Sequence, residues 1–239
     1  MSVEEIIEKS FNDLIKAITT DGSASQLIFP HSNKGDVRHS EQELRQIFLR
    51  NVEEDSDKTY FYSIETPTKY VYCISNSEKP IVKENHETDD GYKSASWDVT
   101  LYTENKIESL ASCIEFKHSN PDEKSGICKD FLKLAKEVKF TKEKKNCFVH
   151  YHYVESENGW ESTSFESIFG KYRNSVDYIE NLLENKDDLA KVIVYLVCMQ
   201  GKSKKNLNIP FFACRLKKLQ SRNKIQRHYR KIMAQRKNI

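Results

Sequence analysis

The chain has 239 residues, of which 38% are hydrophobic, 31% charged and 11% aromatic, a balance that supplies a core and argues against wholesale disorder. No run reaches the roughly 18 to 20 apolar residues of a membrane span, and the opening MSVEEIIEKS lacks the basic and apolar regions of a secretory signal, so a soluble, cytoplasmic protein without membrane partners is expected. The net charge of +2 conceals a divided chain: no acidic residue follows Asp188, and 14 of the 38 basic residues lie between Lys191 and Lys237, leaving 24 basic groups against all 36 acidic ones before them, a balance of −12.

Residues 2–18 are predicted as an amphipathic helix. Ser2 and Glu5 stand at capping-box spacing, and Val3, Ile6, Ile7, Phe11, Leu14, Ile15 and Ile18 form one stripe. After a polar stretch, a second helix is expected from Ser40, where Leu44, Ile47, Phe48 and Val52 recur at helical intervals. Glu43, three residues after Ser40, suits a capping box there. The aromatic and Thr-rich TYFYSIETPTKYVYCIS reads as two strands joined by a turn and interrupted by Pro67. The acidic ENHETDDG separates these from the strand SASWDVTLYT, which ENKIES links to the strand LASCIEFKH.

PDEKSG is expected to be a loop, and ICKDFLKLAKEVK a helix through Ile127, Phe131, Leu132 and Leu134. NCFVHYHYVE returns to strand, residues 165–186 read as helix, and KVIVYLVCMQ with LNIPFFACRL reads as a hairpin across the basic loop GKSKKN. From about Lys217 a final helix is expected, with Leu219, Ile225, Tyr229 and Ile232 on one side and Arg or Lys elsewhere. The organisation read from this is one α/β domain over residues 1–216 and a basic C-terminal helix over 217–239. The six cysteines, at 73, 113, 128, 147, 198 and 214, form no C-x-x-C pair and sit mostly in apolar runs, as buried small hydrophobes do.

The chemistry gathers where LASCIEFKH ends in charge. Alternation on a strand places Ala111, Cys113, Glu115 and Lys117 on one face and Ile114 and Phe116 on the other. Antiparallel pairing with the preceding strand brings Asp98 toward Glu115. Two carboxylates beside a lysine suit Mg²⁺, a hard cation that prefers oxygen ligands, lowers the pKa of bound water and neutralises charge developing on a phosphodiester. Without a metal, such groups are costly to bury. The alternative is a solvated strand end with Asp98 as an ordinary exposed residue.

Asp98 in SWDVTLY, Glu115 and Lys117 in IEFKH, and the order of a carboxylate-bearing helix, strand Asp, strand E-x-K and then KDFLKLAKE resemble the PD-(D/E)XK nuclease superfamily over residues 37–155. Trp97 stands where the motif's name has Pro. The resemblance implies a restriction-endonuclease-like α/β core, a mixed central sheet flanked by helices, with helical additions at both ends. It further implies a Mg²⁺-dependent endonuclease or related hydrolase, with Mn²⁺ as substitute, acting on DNA more than RNA in restriction, defence or repair. In these terms Glu41, Asp98 and Glu115 hold metal and Lys117 assists the attacking water, with Glu43 the other helix carboxylate on offer. Homodimers or partner subunits are common among such enzymes. The rival reading is a non-catalytic nucleic-acid-binding or interaction subunit that retains the fold.

Four further sets of residues carry charge or ligand chemistry. His150 and His152 alternate onto one strand face, where a surface role is favoured over metal binding. His39 and His118 lie close in sequence to the site, and Lys129 and Asp130 either join it or stand as exposed charges. Arg222, Lys224, Arg227, Arg230 and Lys231 are assigned to binding a phosphate backbone through counterion release; a solvated face or an acidic protein partner is the alternative.

Overall fold

A computed structural model describes residues 1–19, 27–31, 33, 38–74, 81–84, 95–119, 121–155, 163–201, 207–208 and 211–215. Helix α1 (Val3–Thr19) begins at the expected capping box. Ser2 N–H donates to Glu5 Oε2 at 2.7 Å and Glu5 N–H donates back to Ser2 Oγ at 3.3 Å. Its stripe of Val3, Ile6, Ile7, Phe11, Leu14 and Ile18 is buried, at about 1.5–3 kcal/mol for each large apolar side chain removed from water. Helix α2 (Glu41–Glu53) packs against it, pinned by the buried Asn51 amide, which donates to Ser10 Oγ at 3.0 Å and Asp13 Oδ2 at 3.1 Å.

The strands are β1 (Phe61–Pro67), β2 (Tyr70–Cys73), β3 (Ile81–Glu84), β4 (Ser96–Tyr102), β5 (Leu110–His118), β6 (Asn146–Glu155), β7 (Val192–Gly201), β8 (Leu207–Asn208) and β9 (Phe211–Arg215). β1, β4 and β5 pair antiparallel in that order, β6 lies parallel to β5, and β7 lies parallel to β6. β8 and β9 both pair antiparallel with β7, the hairpin expected there, so seven strands make a mixed sheet six positions wide. Helices α3 (Lys129–Glu137) and α4 (Thr163–Glu180) connect the parallel strands. One face of the sheet packs on α1 and α2, the other on α3 and α4. Among the described residues no helix is long and apolar enough to cross a membrane.

Three local expectations need correction. β1 and β2 do not form a hairpin with each other; β1 pairs with β4, while β2 pairs with β3, a strand hidden in the polar run around Ile81. Buried Glu137 of α3 holds the chain between them, accepting the N–H groups of Lys69 at 3.0 Å and Tyr70 at 3.1 Å and the Tyr72 hydroxyl at 3.0 Å. PDEKSG is not wholly loop. Asp122 accepts the Ser125 N–H at 2.8 Å and caps a π-helical turn, Glu123–Cys128, that runs into α3. Ala111 lies with Ile114 and Phe116 rather than with Cys113, because the β4–β5 register shifts at Leu101/Tyr102 and the bulge turns it over. The described cysteines at 113, 128, 147 and 198 are buried thiols.

Candidate functional site

The pairing of Val99 with Ile114 sets Asp98, near the start of β4, opposite Glu115, near the end of β5. The Phe116 backbone N–H donates to Asp98 Oδ2 at 2.7 Å, and Asp98 Oδ1 lies 3.7 Å from Arg45 Nη1 on α2. Arg45 is itself held by Glu65 on β1 at 2.7 Å. Burial raises the Asp98 pKa, opposed by the Phe116 N–H and by Lys117.

Glu115 and Lys117 share the face toward α3, as alternation predicts, and α3 answers both. Lys133 Nζ lies 2.6 Å from Glu115 Oε1, with both side chains only 4% exposed. Lys117 Nζ, on the more open side, lies 2.9 Å from Asp130 Oδ2. The Lys133 ammonium also donates to Ser96 O at 3.0 Å, lies 3.4 Å from Asp130 Oδ1, and sits over the Trp97 ring, 5.1 Å from its centroid. Burial raises the Glu115 pKa well above the ordinary carboxylate value, with Asp130 pushing the same way and Lys133 opposing. Burial works against the charges of Lys117 and Lys133, but Asp130 and Glu115 outweigh it and raise both.

Glu41 opens α2 beside this group. Burial raises its pKa, Lys117 opposes, and Asp98 and Asp130 add to the rise. Glu43 faces elsewhere: its Oε2 accepts the Ser40 N–H at 2.7 Å and the Ser40 hydroxyl at 2.7 Å, the expected capping box. Helix geometry thus separates the two carboxylates: Glu43 closes the capping box expected of it, and Glu41 lies beside the charged group.

Sequence reasoning left Asp130 undecided and missed Lys133 and Arg45. Asp130, Lys133 and Glu137 fall at i, i+3 and i+7 of a short helix, a charged line that reads as a solvated face. All three are buried. The cost of burying Glu115 is therefore opposed, though not cancelled, by a lysine from the next helix, a partner the strand sequence could not disclose.

His150 and His152 are buried rather than at the surface. His150 Nδ1 lies 2.5 Å from the Tyr172 hydroxyl and its Nε2 lies 2.7 Å from Ser119 O, which spans β6, α4 and the turn after β5. His118 points away from Lys117 and stacks near Tyr151 at 4.6 Å, with His39 against Tyr153 at 4.3 Å. These rings pack among aromatic side chains rather than beside the carboxylates. Arg222, Lys224, Arg227, Arg230 and Lys231, with the whole expected C-terminal helix, lie outside the described residues.

Glu41, Asp98, Glu115 and Asp130 supply only hard oxygen donors, four carboxyl groups set among Arg45, Lys117 and Lys133. The Lys133 ammonium, set among Glu115, Asp130 and Ser96 oxygens, shows that this pocket of oxygens stabilises a cation. By donor chemistry the residues fit Mg²⁺. Among the described residues no three His, Cys, Asp or Glu side chains form a group that could hold a metal ion. No protein-family model, curated protein or solved structure matches the chain.

Proposed function

We propose that the protein is a divalent-metal-dependent nuclease of the PD-(D/E)XK type. The observation that carries this reading is the convergence of Asp98 from β4, Glu115 and Lys117 from β5, and Glu41 from the start of α2 at one end of the sheet. The succession α2, the antiparallel run β1–β4–β5, α3 and parallel β6 also supports a restriction-endonuclease-like core. In this reading Asp98 and Glu115 would hold Mg²⁺ or Mn²⁺, which supplies a more acidic bound water and charge neutralisation at phosphate. Asp98 is oriented by the Phe116 N–H, Glu41 adds negative charge at the open side, and Lys117, held by Asp130, faces the approaching phosphodiester. The basic segment after Asp188 would draw nucleic acid in a cytoplasmic setting, DNA more than RNA.

One observation favours a second reading, a nucleic-acid-binding subunit that keeps the fold without the reaction: Lys133 already stands against Glu115 as its counter-charge. A cleavage assay on single- and double-stranded DNA and RNA, with and without Mg²⁺ or Mn²⁺, separates the two. Metal-dependent cleavage that is lost in Lys117→Ala while binding persists supports the nuclease. Cleavage that survives both a chelator and Asp98→Ala overturns this site, and tight binding with no cleavage under any metal favours the subunit.

A further inference from the structure

A buried ammonium seated among oxygens is a cation site with its occupant built in. Lys133 Nζ has Glu115 Oε1 at 2.6 Å, Ser96 O at 3.0 Å and Asp130 Oδ1 at 3.4 Å, with the Trp97 ring as a fourth wall at 5.1 Å. The ammonium donates to Ser96 O and Asp130 Oδ1, meets Glu115 Oε1 as a close charge contact, and belongs to a residue 3% exposed. Water therefore contributes little to its solvation, and the attraction of the two carboxylates is screened weakly. Lys117 differs. Among the described residues its one ion pair is with Asp130 at 2.9 Å, and its side chain is 22% exposed.

We infer that Lys133 is a resident counter-cation of the site, and that a divalent ion reaches the Glu115 and Asp130 oxygens only as this ammonium leaves them. The inference rests on the metal-dependent reading above. The oxygens that an ion would need are already engaged: Glu115 Oε1 and Asp130 Oδ1 converge on the Lys133 ammonium, and Asp130 Oδ2 is held by Lys117. A lysine is suited to this exchange, because its charge rides on a flexible four-carbon stem anchored in α3. The ammonium keeps Glu115 and Asp130 compensated in the metal-free protein, and its competition weakens metal binding until a phosphate or other anion gives it a new partner.

The test is Mn²⁺ binding to the full chain by calorimetry, with Tb³⁺ emission excited through Trp97 as a second reading. Close charge pairs couple strongly enough that Lys133→Met should bind Mn²⁺ at least about tenfold more tightly than the natural protein. Lys136→Met, which removes an equal charge from the same helix, where Lys136 pairs with the exposed Glu184, should bind as the natural protein does. Unchanged or weaker binding in Lys133→Met, equal tightening in Lys136→Met, or no binding in any variant overturns the inference. Should Lys133→Met fail to fold, the natural chain answers alone: saturating Mg²⁺ should expose the Lys133 ammonium protons to rapid exchange, and retained protection overturns the idea. Tightened binding in Lys133→Met without cleavage in any variant would sink the nuclease reading and leave the cation exchange standing.

Discussion

Asp98 Oδ2 accepts the Phe116 backbone N–H at 2.7 Å, tying β4 to β5 across the candidate site. One oxygen of the carboxylate thus serves the scaffold, and the other lies toward Arg45. Asparagine can keep the first contact through its carbonyl oxygen but carries no charge. Asp98→Asn should therefore unfold within about 1 kcal/mol of the natural protein, whereas Asp98→Ala, which orphans a part-buried N–H, should cost about 1–3 kcal/mol. Both should abolish metal-dependent cleavage. Urea titration beside the cleavage assay checks this, and an Asn variant that cleaves normally would remove Asp98 from the site.

The Glu115–Lys133 pair makes a stability prediction independent of catalysis. Removing one partner of a buried pair strands the other, at about 3–5 kcal/mol. Glu115→Gln and Lys133→Gln should each destabilise by at least about 2 kcal/mol, since amides retain some hydrogen bonding. The double variant should cost clearly less than their sum, a coupling that a double-mutant cycle in urea measures. Additive costs would show that the 2.6 Å contact carries no energy of its own.

Burial lowers His118 from 6.5 to about 4 and His150 from 6.5 to about 3. In the unfolded chain both keep the ordinary value. As pH falls from 6.5 toward these folded values, the unfolded state binds protons that the folded state refuses, so stability drops with acid. Above pH 6.5 this contribution is intact. His150→Asn should shrink the fall in urea midpoint between pH 6.5 and 4 relative to the natural protein, and an identical pH profile would mean that His150 titrates normally.

The tail prediction is electrostatic. Seven basic residues follow Leu219, and each phosphate neutralised adds roughly 0.9 to the slope of log affinity against log salt. Deleting residues 220–239 should weaken DNA binding and flatten that slope by up to about 6. An unchanged slope would direct the tail to protein contacts.

Element positions were legible wherever a one-dimensional period reports burial. The α1 stripe, the β6 run NCFVHYHYVE and the alternation placing Glu115 with Lys117 follow from helical and strand periods alone. Capping was legible too, because Ser2 with Glu5 and Ser40 with Glu43 interact within one turn. The PDEKSG turn misled because Pro, Ser and Gly read as breakers, although Asp122 caps a wound turn there.

By itself, then, the chain's order of apolar and charged residues determined a mixed α/β architecture and singled out Asp98, Glu115, Lys117 and Glu41. Tertiary structure alone decided which counter-charge each would meet. Lys133 lies 18 residues beyond Glu115, and Asp130 lies 13 residues beyond Lys117. Which side chain lies opposite another across a sheet and a crossing helix depends on packing, not on sequence period. For charges removed from water the nearest partner dominates the energy, so the character of the site was settled by neighbours that no local pattern announces.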